Sequence, residues 1–364
     1  MTLLIDLYEK YGQSPWLDNL KRDWIQSGEL QKWIDKGVRG LTSNPSIFEK
    51  AITNSNAYDE EFASLINNGI SIEDAYWQLV QTDISEALKL LKPVYDSSNG
   101  LDGYVSVEVD PRLARDSEAT VDAARYLDNQ LDSDNLFIKI PGTKEGLSAI
   151  QEMTSEGRSI NVTLLFSIER YEKVIDSYMT GLENRDGDLT QISSVASFFI
   201  SRTETEIDSR LDEIGSDDAR KLKGKSAVAQ GQLAYKLFLE KFGSERWKAL
   251  ESRGATLQRP LWASTSTKNP DYPDTLYVDQ LIGPNTVNTL PDGTLSAFID
   301  HGNLARTIDA SFSMASEVLS AVEAEGVDLN DVAQKLEREG VQSFENSFEN
   351  LLHTLGAKAE SLKT

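Results

Sequence analysis

The sequence predicts an α/β protein built as a closed (β/α)8 TIM barrel, with additional helices and a helical C-terminal extension. Three observations support it. Short β-like segments alternate with longer helical ones, and with a weak first strand included the pattern repeats eight times over about 290 residues. The connections are long enough for helical crossovers, which parallel strands need and hairpins do not. The strands divide polar from apolar residues with period two, as expected when one face meets a shell of helices and the other lines an interior. An open doubly wound sheet is the alternative architecture.

In chain order, residues 15–18 form the weak candidate, and Val38-Arg39-Gly40-Leu41-Thr42-Ser43-Asn44 is the first clear strand. A helix over 72–91 follows from its apolar spacing. Strand 104–110, helix 116–131, strand 136–141, helix 144–156, strand 160–166 and helix 168–179 continue the alternation. After strand 192–202 comes a helical stretch, 204–239, long enough for two helices with a break near Gly215 or Gly224. Strands 260–264 and 285–290 complete the set. Beyond them, about 327–362 reads as two helices whose Val341, Phe344, Phe348, Leu351 and Leu352 share one apolar stripe, a packing tail on a single domain spanning 1–364.

Composition excludes several chemistries. The chain has no cysteine, which rules out disulfides, thiolate nucleophiles and iron–sulfur clusters, and two histidines make a histidine-rich metal site or a serine–histidine hydrolase a poor fit. No metal and no cofactor is expected. Thirty-six basic against 59 acidic residues leave a net charge of −23, which repels nucleic acid and anionic lipid, so an anionic substrate must meet a local cationic spot. No apolar run is long enough to span a membrane, and the N-terminus lacks the features of a signal peptide, so the expected location is cytoplasmic. Monomer and homodimer are both open.

The most informative residue is Lys139, in Leu136-Phe137-Ile138-Lys139-Ile140-Pro141. A lone lysine at a strand end is more often a snorkelling edge residue than a catalyst. In a low-dielectric strand, however, an ammonium carries a desolvation cost of several kcal/mol, and losing its proton relieves it. A neutral lysine is a nucleophile suited to Schiff-base chemistry. Its neighbours favour that role. Ser106, Glu108 and Asp110 share one face of their strand, Asn161 and Thr163 oppose the aliphatics of theirs, and Thr42 and Asn44 share a side. In a barrel these polar residues face the mouth at the carboxyl ends of the strands, gathering Asp18, Asn44, Glu108, Lys139, Asn161, Thr163 and Ser197. Gly224-Lys225-Ser226 looks like the end of a phosphate-binding loop, but Ala219 stands where its first glycine belongs.

Five stretches together resemble the transaldolase family of the pentose phosphate pathway, in its longer bacterial branch. They are Leu41-Thr42-Ser43-Asn44-Pro45-Ser46, Val107-Glu108-Val109-Asp110, Phe137-Ile138-Lys139-Ile140, Ile160-Asn161-Val162-Thr163-Leu164-Leu165-Phe166-Ser167 and Ser197-Phe198-Phe199-Ile200-Ser201-Arg202. The resemblance covers about residues 18–291. It implies that Lys139 forms a Schiff base with a ketose phosphate and that Asp18 is the general acid/base on the sugar hydroxyl. Glu108 and Thr163 would handle the water of imine formation and hydrolysis. Asn44, Asn161 and Ser197 would hold sugar hydroxyls, and Arg202 the phosphate. Lys268, with Ser266 beside it, stands where shorter-branch members place a second phosphate-binding arginine; a lysine supplies a point charge rather than a fork. Relatives that favour simple aldol cleavage tend to carry tyrosine where this chain has Phe199, which favours transfer. The implied partners are small sugar phosphates. A lysine-dependent aldolase and a non-catalytic sugar-phosphate sensor are the rival readings.

Overall fold

The computed structural model describes residues 2–362 and contains a closed, all-parallel, eight-stranded barrel in sequence order. The strands are β1 (Gln13–Leu17), β2 (Leu41–Thr42), β3 (Val105–Glu108), β4 (Leu136–Pro141), β5 (Ile160–Leu165), β6 (Ser194–Phe199), β7 (Gln258–Ala263) and β8 (Thr286–Leu290). β1 closes the ring against β8, with Gln13 opposite Thr286 and Leu17 opposite Leu290. The segment read as weakest from sequence is therefore a full strand, while the first clear one, 38–44, contributes only two ladder residues. Pro15 obscured β1, and so did its polar residues Gln13 and Ser14, both fully buried, with Ser14 on the inward face beside Trp16. Next to it Gly40 is obligatory: a Cβ there would come within 2.4 Å of the Trp16 indole.

The period-two division holds in space. Val105, Val107, Ile138, Ile140, Ile160 and Val162 belong to the outer apolar layer shared with the surrounding helices. Trp16, Tyr104, Phe137, Val195, Leu261 and Val287 belong to a second cluster. There Phe137 stacks on Tyr104 with ring centroids 4.0 Å apart and on Trp16 at 6.0 Å, filling the barrel two residues below Lys139.

Two helical expectations change. The 204–239 stretch is three helices, Ser201–Ile214, Asp217–Leu222 and Ser226–Phe242, broken at both Gly215 and Gly224, each with positive φ. The C-terminal pair is instead one 34-residue helix, Leu329–Leu362. Gly340 lies inside it rather than ending it, because the helix passes close over β5: a Cβ on Gly340 would lie 3.0 Å from Leu164 Cδ2. Among the described residues no helix is long and apolar enough to cross a membrane.

Candidate active site

Parallel register brings the polar residues together. Glu108 on β3 pairs with Lys139 on β4, Lys139 with Asn161 on β5, and Pro141 with Thr163. Lys139 is only 4% exposed. Its Nζ lies 3.0 Å from Glu108 Oε2 and donates to the Ser43 carbonyl at 3.1 Å. The amine is thus held by a carboxylate as well as by an apolar strand, and a proton acceptor stands beside it. Glu108 Oε1 and the Thr163 hydroxyl are buried without a hydrogen-bond partner; the Thr163 hydroxyl borders the cavity described below, whereas Glu108 does not line it and meets it through Lys139.

Asp18 follows β1, its N–H bonded to the Leu290 carbonyl at 2.8 Å. The Thr42 hydroxyl donates to Asp18 Oδ1 at 2.6 Å and receives the Thr289 hydroxyl at 2.7 Å, a relay fixing the carboxylate. Burial pushes the Asp18 carboxyl above its ordinary range, with Lys139 and the Thr42 hydrogen bond pulling the other way. Glu108 is likewise raised by burial, opposed by Lys139 and reinforced by the Asp18 charge. Two carboxyls shifted upward around one lysine form a recognisable acid/base setting.

A cavity of about 830 Å³ opens above them. Of the residues singled out by sequence, Asp18, Asn44, Lys139, Thr163, Ser197, Phe199, Arg202, Ser266 and Lys268 line it. Asn44 Oδ1 caps the helix Pro45–Thr53 by accepting the Ile47 N–H at 3.0 Å, so its amide NH2 is the group left for a ligand. Asn161 stands behind the wall. It donates to Ser106 Oγ at 2.9 Å and accepts the Ser197 hydroxyl at 2.7 Å, so it orients Ser197.

Arg202 begins the helix Ser201–Ile214, whose first turn adds positive partial charge. Burial lowers its pKa while Asp18 and Glu108 oppose that, and its guanidinium lies 5.2 Å from the Phe199 ring centroid. Lys268 Nζ donates to Ser266 Oγ at 2.6 Å, and its pKa is lowered by partial burial and then by repulsion from Arg202 and Lys50. In a chain of net charge −23, this cationic group sits where an anion would enter. Leu164, after Thr163, and Ser264, after β7, both take left-handed backbone conformations, strain of roughly 1–3 kcal/mol each of the kind concentrated at functional sites.

Sequence reasoning missed Thr289, Lys50 and Phe344 as cavity residues. Phe344 was assigned to the tail's packing stripe; no local signal marks a tail residue that crosses to the barrel mouth. The phosphate-loop lookalike has a structural explanation. Glu204 accepts the N–H groups of Ser226 and Ala227 at 3.1 and 3.2 Å, standing where an anion would, and burial and then Asp208 push its pKa to about 8. Among the described residues no cluster of metal-ligating side chains occurs.

A buried lysine at a barrel mouth, paired with one carboxylate and facing a second, is the arrangement that imine chemistry of the class I aldolase type requires. A sequence profile described as Transaldolase/Fructose-6-phosphate aldolase matches residues 15–355. Transaldolase 2 of Streptomyces coelicolor is 48% identical over 356 residues, covering 96% of each chain. The transaldolase of Frankia alni is 48% identical over 94% of each chain, and that of Arthrobacter sp. 47% identical over 97% of this chain and 96% of its own. The chain belongs to the transaldolase/fructose-6-phosphate aldolase family.

Proposed function

We propose that this enzyme transfers a dihydroxyacetone unit from a ketose phosphate, sedoheptulose 7-phosphate or fructose 6-phosphate, to an aldose phosphate, glyceraldehyde 3-phosphate or erythrose 4-phosphate, in the non-oxidative pentose phosphate pathway. The observation that carries it is Lys139 Nζ, buried and 3.0 Å from Glu108, beneath the cationic Arg202 and Lys268. The Lys139 amine adds to the ketose carbonyl, and loss of water leaves a protonated imine. Asp18 takes the proton of the C4 hydroxyl as the C3–C4 bond breaks, and the bonding electrons flow into the imine to give an enamine. The aldose phosphate departs. An acceptor aldose then takes the enamine carbon, Asp18 returns its proton to the new hydroxyl, and water hydrolyses the imine. Glu108 and the partnerless Thr163 hydroxyl suit the water steps. Asn44 and Ser197, the latter oriented by Asn161, suit the sugar hydroxyls.

Barrel and tail act as one unit on soluble sugar phosphates in the cytoplasm, and the strongly acidic surface disfavours nucleic acid as a partner. The family description also covers aldol cleavage that releases free dihydroxyacetone, and product analysis with and without an acceptor aldose separates the two. Borohydride added with fructose 6-phosphate should leave a dihydroxyacetone-derived mass on the peptide containing Lys139. An unmodified peptide under turnover conditions rules out the imine.

A further inference from the structure

The C-terminal helix Leu329–Leu362 is tied across the barrel mouth rather than stacked on its side. Asp331 pairs with Arg210 at 2.7 Å and Lys335 with Glu206 at 2.7 Å, both partners lying beyond β6. Glu337 lies 3.8 Å from Arg115 beyond β3 and 3.5 Å from Arg170 beyond β5. Ser347 Oγ meets Ser46 Oγ at 2.7 Å beyond β2, and Arg112 sits 4.7 Å from the Phe348 ring centroid. Gly340 lets the helix settle onto Leu164, one residue past Thr163.

One turn further on, Phe344 enters the cavity wall. Its ring centroid is 5.8 Å from Lys139 Nζ and 5.8 Å from the Arg202 guanidinium, and the residue is 2% exposed. Phe199 approaches the same guanidinium at 5.2 Å and is itself backed by Phe166 at 5.1 Å. The two phenylalanines flank the phosphate-binding cation, and Phe344 alone also reaches the nucleophile.

Resting on the transfer reading above, we propose that Phe344 is a specificity-determining residue that sets the partition between transfer and release. After the first aldose phosphate leaves, the enamine has two fates. It can attack an acceptor carbonyl, or it can take a proton at carbon to become an iminium, to which water adds, expelling the lysine amine and liberating dihydroxyacetone. The second path needs water at the imine carbon while the three-carbon fragment waits, whereas transfer calls on water only after the acceptor has bonded. An aromatic ring held between Lys139 and Arg202 excludes that water while leaving the polar side of the cavity open to the incoming aldose.

The test compares Phe344→Gln, which keeps reach but admits water, with Phe344→Leu, which keeps an apolar cover. Dihydroxyacetone release without acceptor is measured against transfer with acceptor, and borohydride trapping at Lys139 is run on every variant. Phe344→Gln should raise the release-to-transfer ratio about tenfold with trapping intact, and Phe344→Leu by no more than about threefold. An unchanged ratio in Phe344→Gln with trapping intact overturns the proposal, as does an equal rise in both variants, which indicates loosened structure rather than lost exclusion of water. Should the glutamine variant fail to fold, a Phe344→Leu ratio unchanged from the parent supports the apolar-cover role and a tenfold rise overturns it. Absence of trapping in the parent protein defeats the transfer reading instead, so the two failures are distinguishable.

Discussion

The two ends of the barrel interior both set buried carboxyls against cations, but satisfy them to different degrees. At the lower end one carboxylate, Asp102, serves two arginines, Arg39 at 2.8 Å and Arg259 at 3.0 Å, and also accepts from Ser14 at 2.8 Å and Trp16 Nε1 at 3.1 Å. At the mouth one lysine serves two carboxyls, and an oxygen of Glu108 and the hydroxyl of Thr163 have no partner. The lower cluster is closed. Burial works to raise the Asp102 pKa, but Arg259 and Arg39 outweigh it and hold the group below its ordinary value. At the mouth burial wins, and both carboxyls are raised. A buried ion cluster that satisfies its members rigidifies the fold, whereas one left incomplete can move protons.

Replacing each centre should separate the two roles. Lys139→Met should reduce transfer by about 10⁴-fold or more while leaving the denaturation midpoint near that of the parent, measured by a coupled transfer assay and urea titration. Appreciable turnover in that variant would remove Lys139 from the chemistry. Asp102→Asn should do the reverse. It leaves Arg259 buried without a counter-charge, so stability should fall by about 3–5 kcal/mol while activity per folded molecule is kept. A variant equally stable but inactive would tie the lower cluster to catalysis.

Acid should act on the two ends at different pH. In the proposed mechanism Asp18 must be ionised to accept a proton, and since its folded pKa is raised it protonates above the usual aspartate value of about 3.9, so kcat/KM should decline there. Asp102 has a lowered folded pKa; its stabilisation is present above the unfolded value and is lost only as pH falls through the lower folded one. The stability gap between the parent and Asp102→Asn should therefore persist through the acid limb of activity. Measuring kcat/KM and the denaturation midpoint on one pH series decides it, and a gap that vanishes together with activity would erase the distinction.

Part of the mouth was legible in the sequence because Glu108, Lys139 and Thr163 lie on strands whose alternation can be read locally. Roles for Asp18 and Arg202 came from resemblance, since neither sits within an alternating run. The lower cluster was not legible: Asp102 and Arg259 are 157 residues apart, and nothing near either predicts the other. β1 was hidden because it opens on Gln13 and Ser14, one on each face, and continues through Pro15, so neither face shows an apolar pattern. The tail misled for a related reason. Its apolar stripe was correctly seen, but a stripe gives no sign of what it covers, and the two helices expected over 327–362 are one, with Gly340 serving as a point of close approach.

Phe344 lies well beyond Leu290, the last strand residue, so the chain is synthesised with all eight strands in hand before the residue that roofs the lysine emerges. The strands that shape the chamber thus precede, in order of synthesis, the ring proposed to cover it. Anything that delays or pries away the terminal helix would leave a primed amine facing water and whatever carbonyl compounds the surroundings hold.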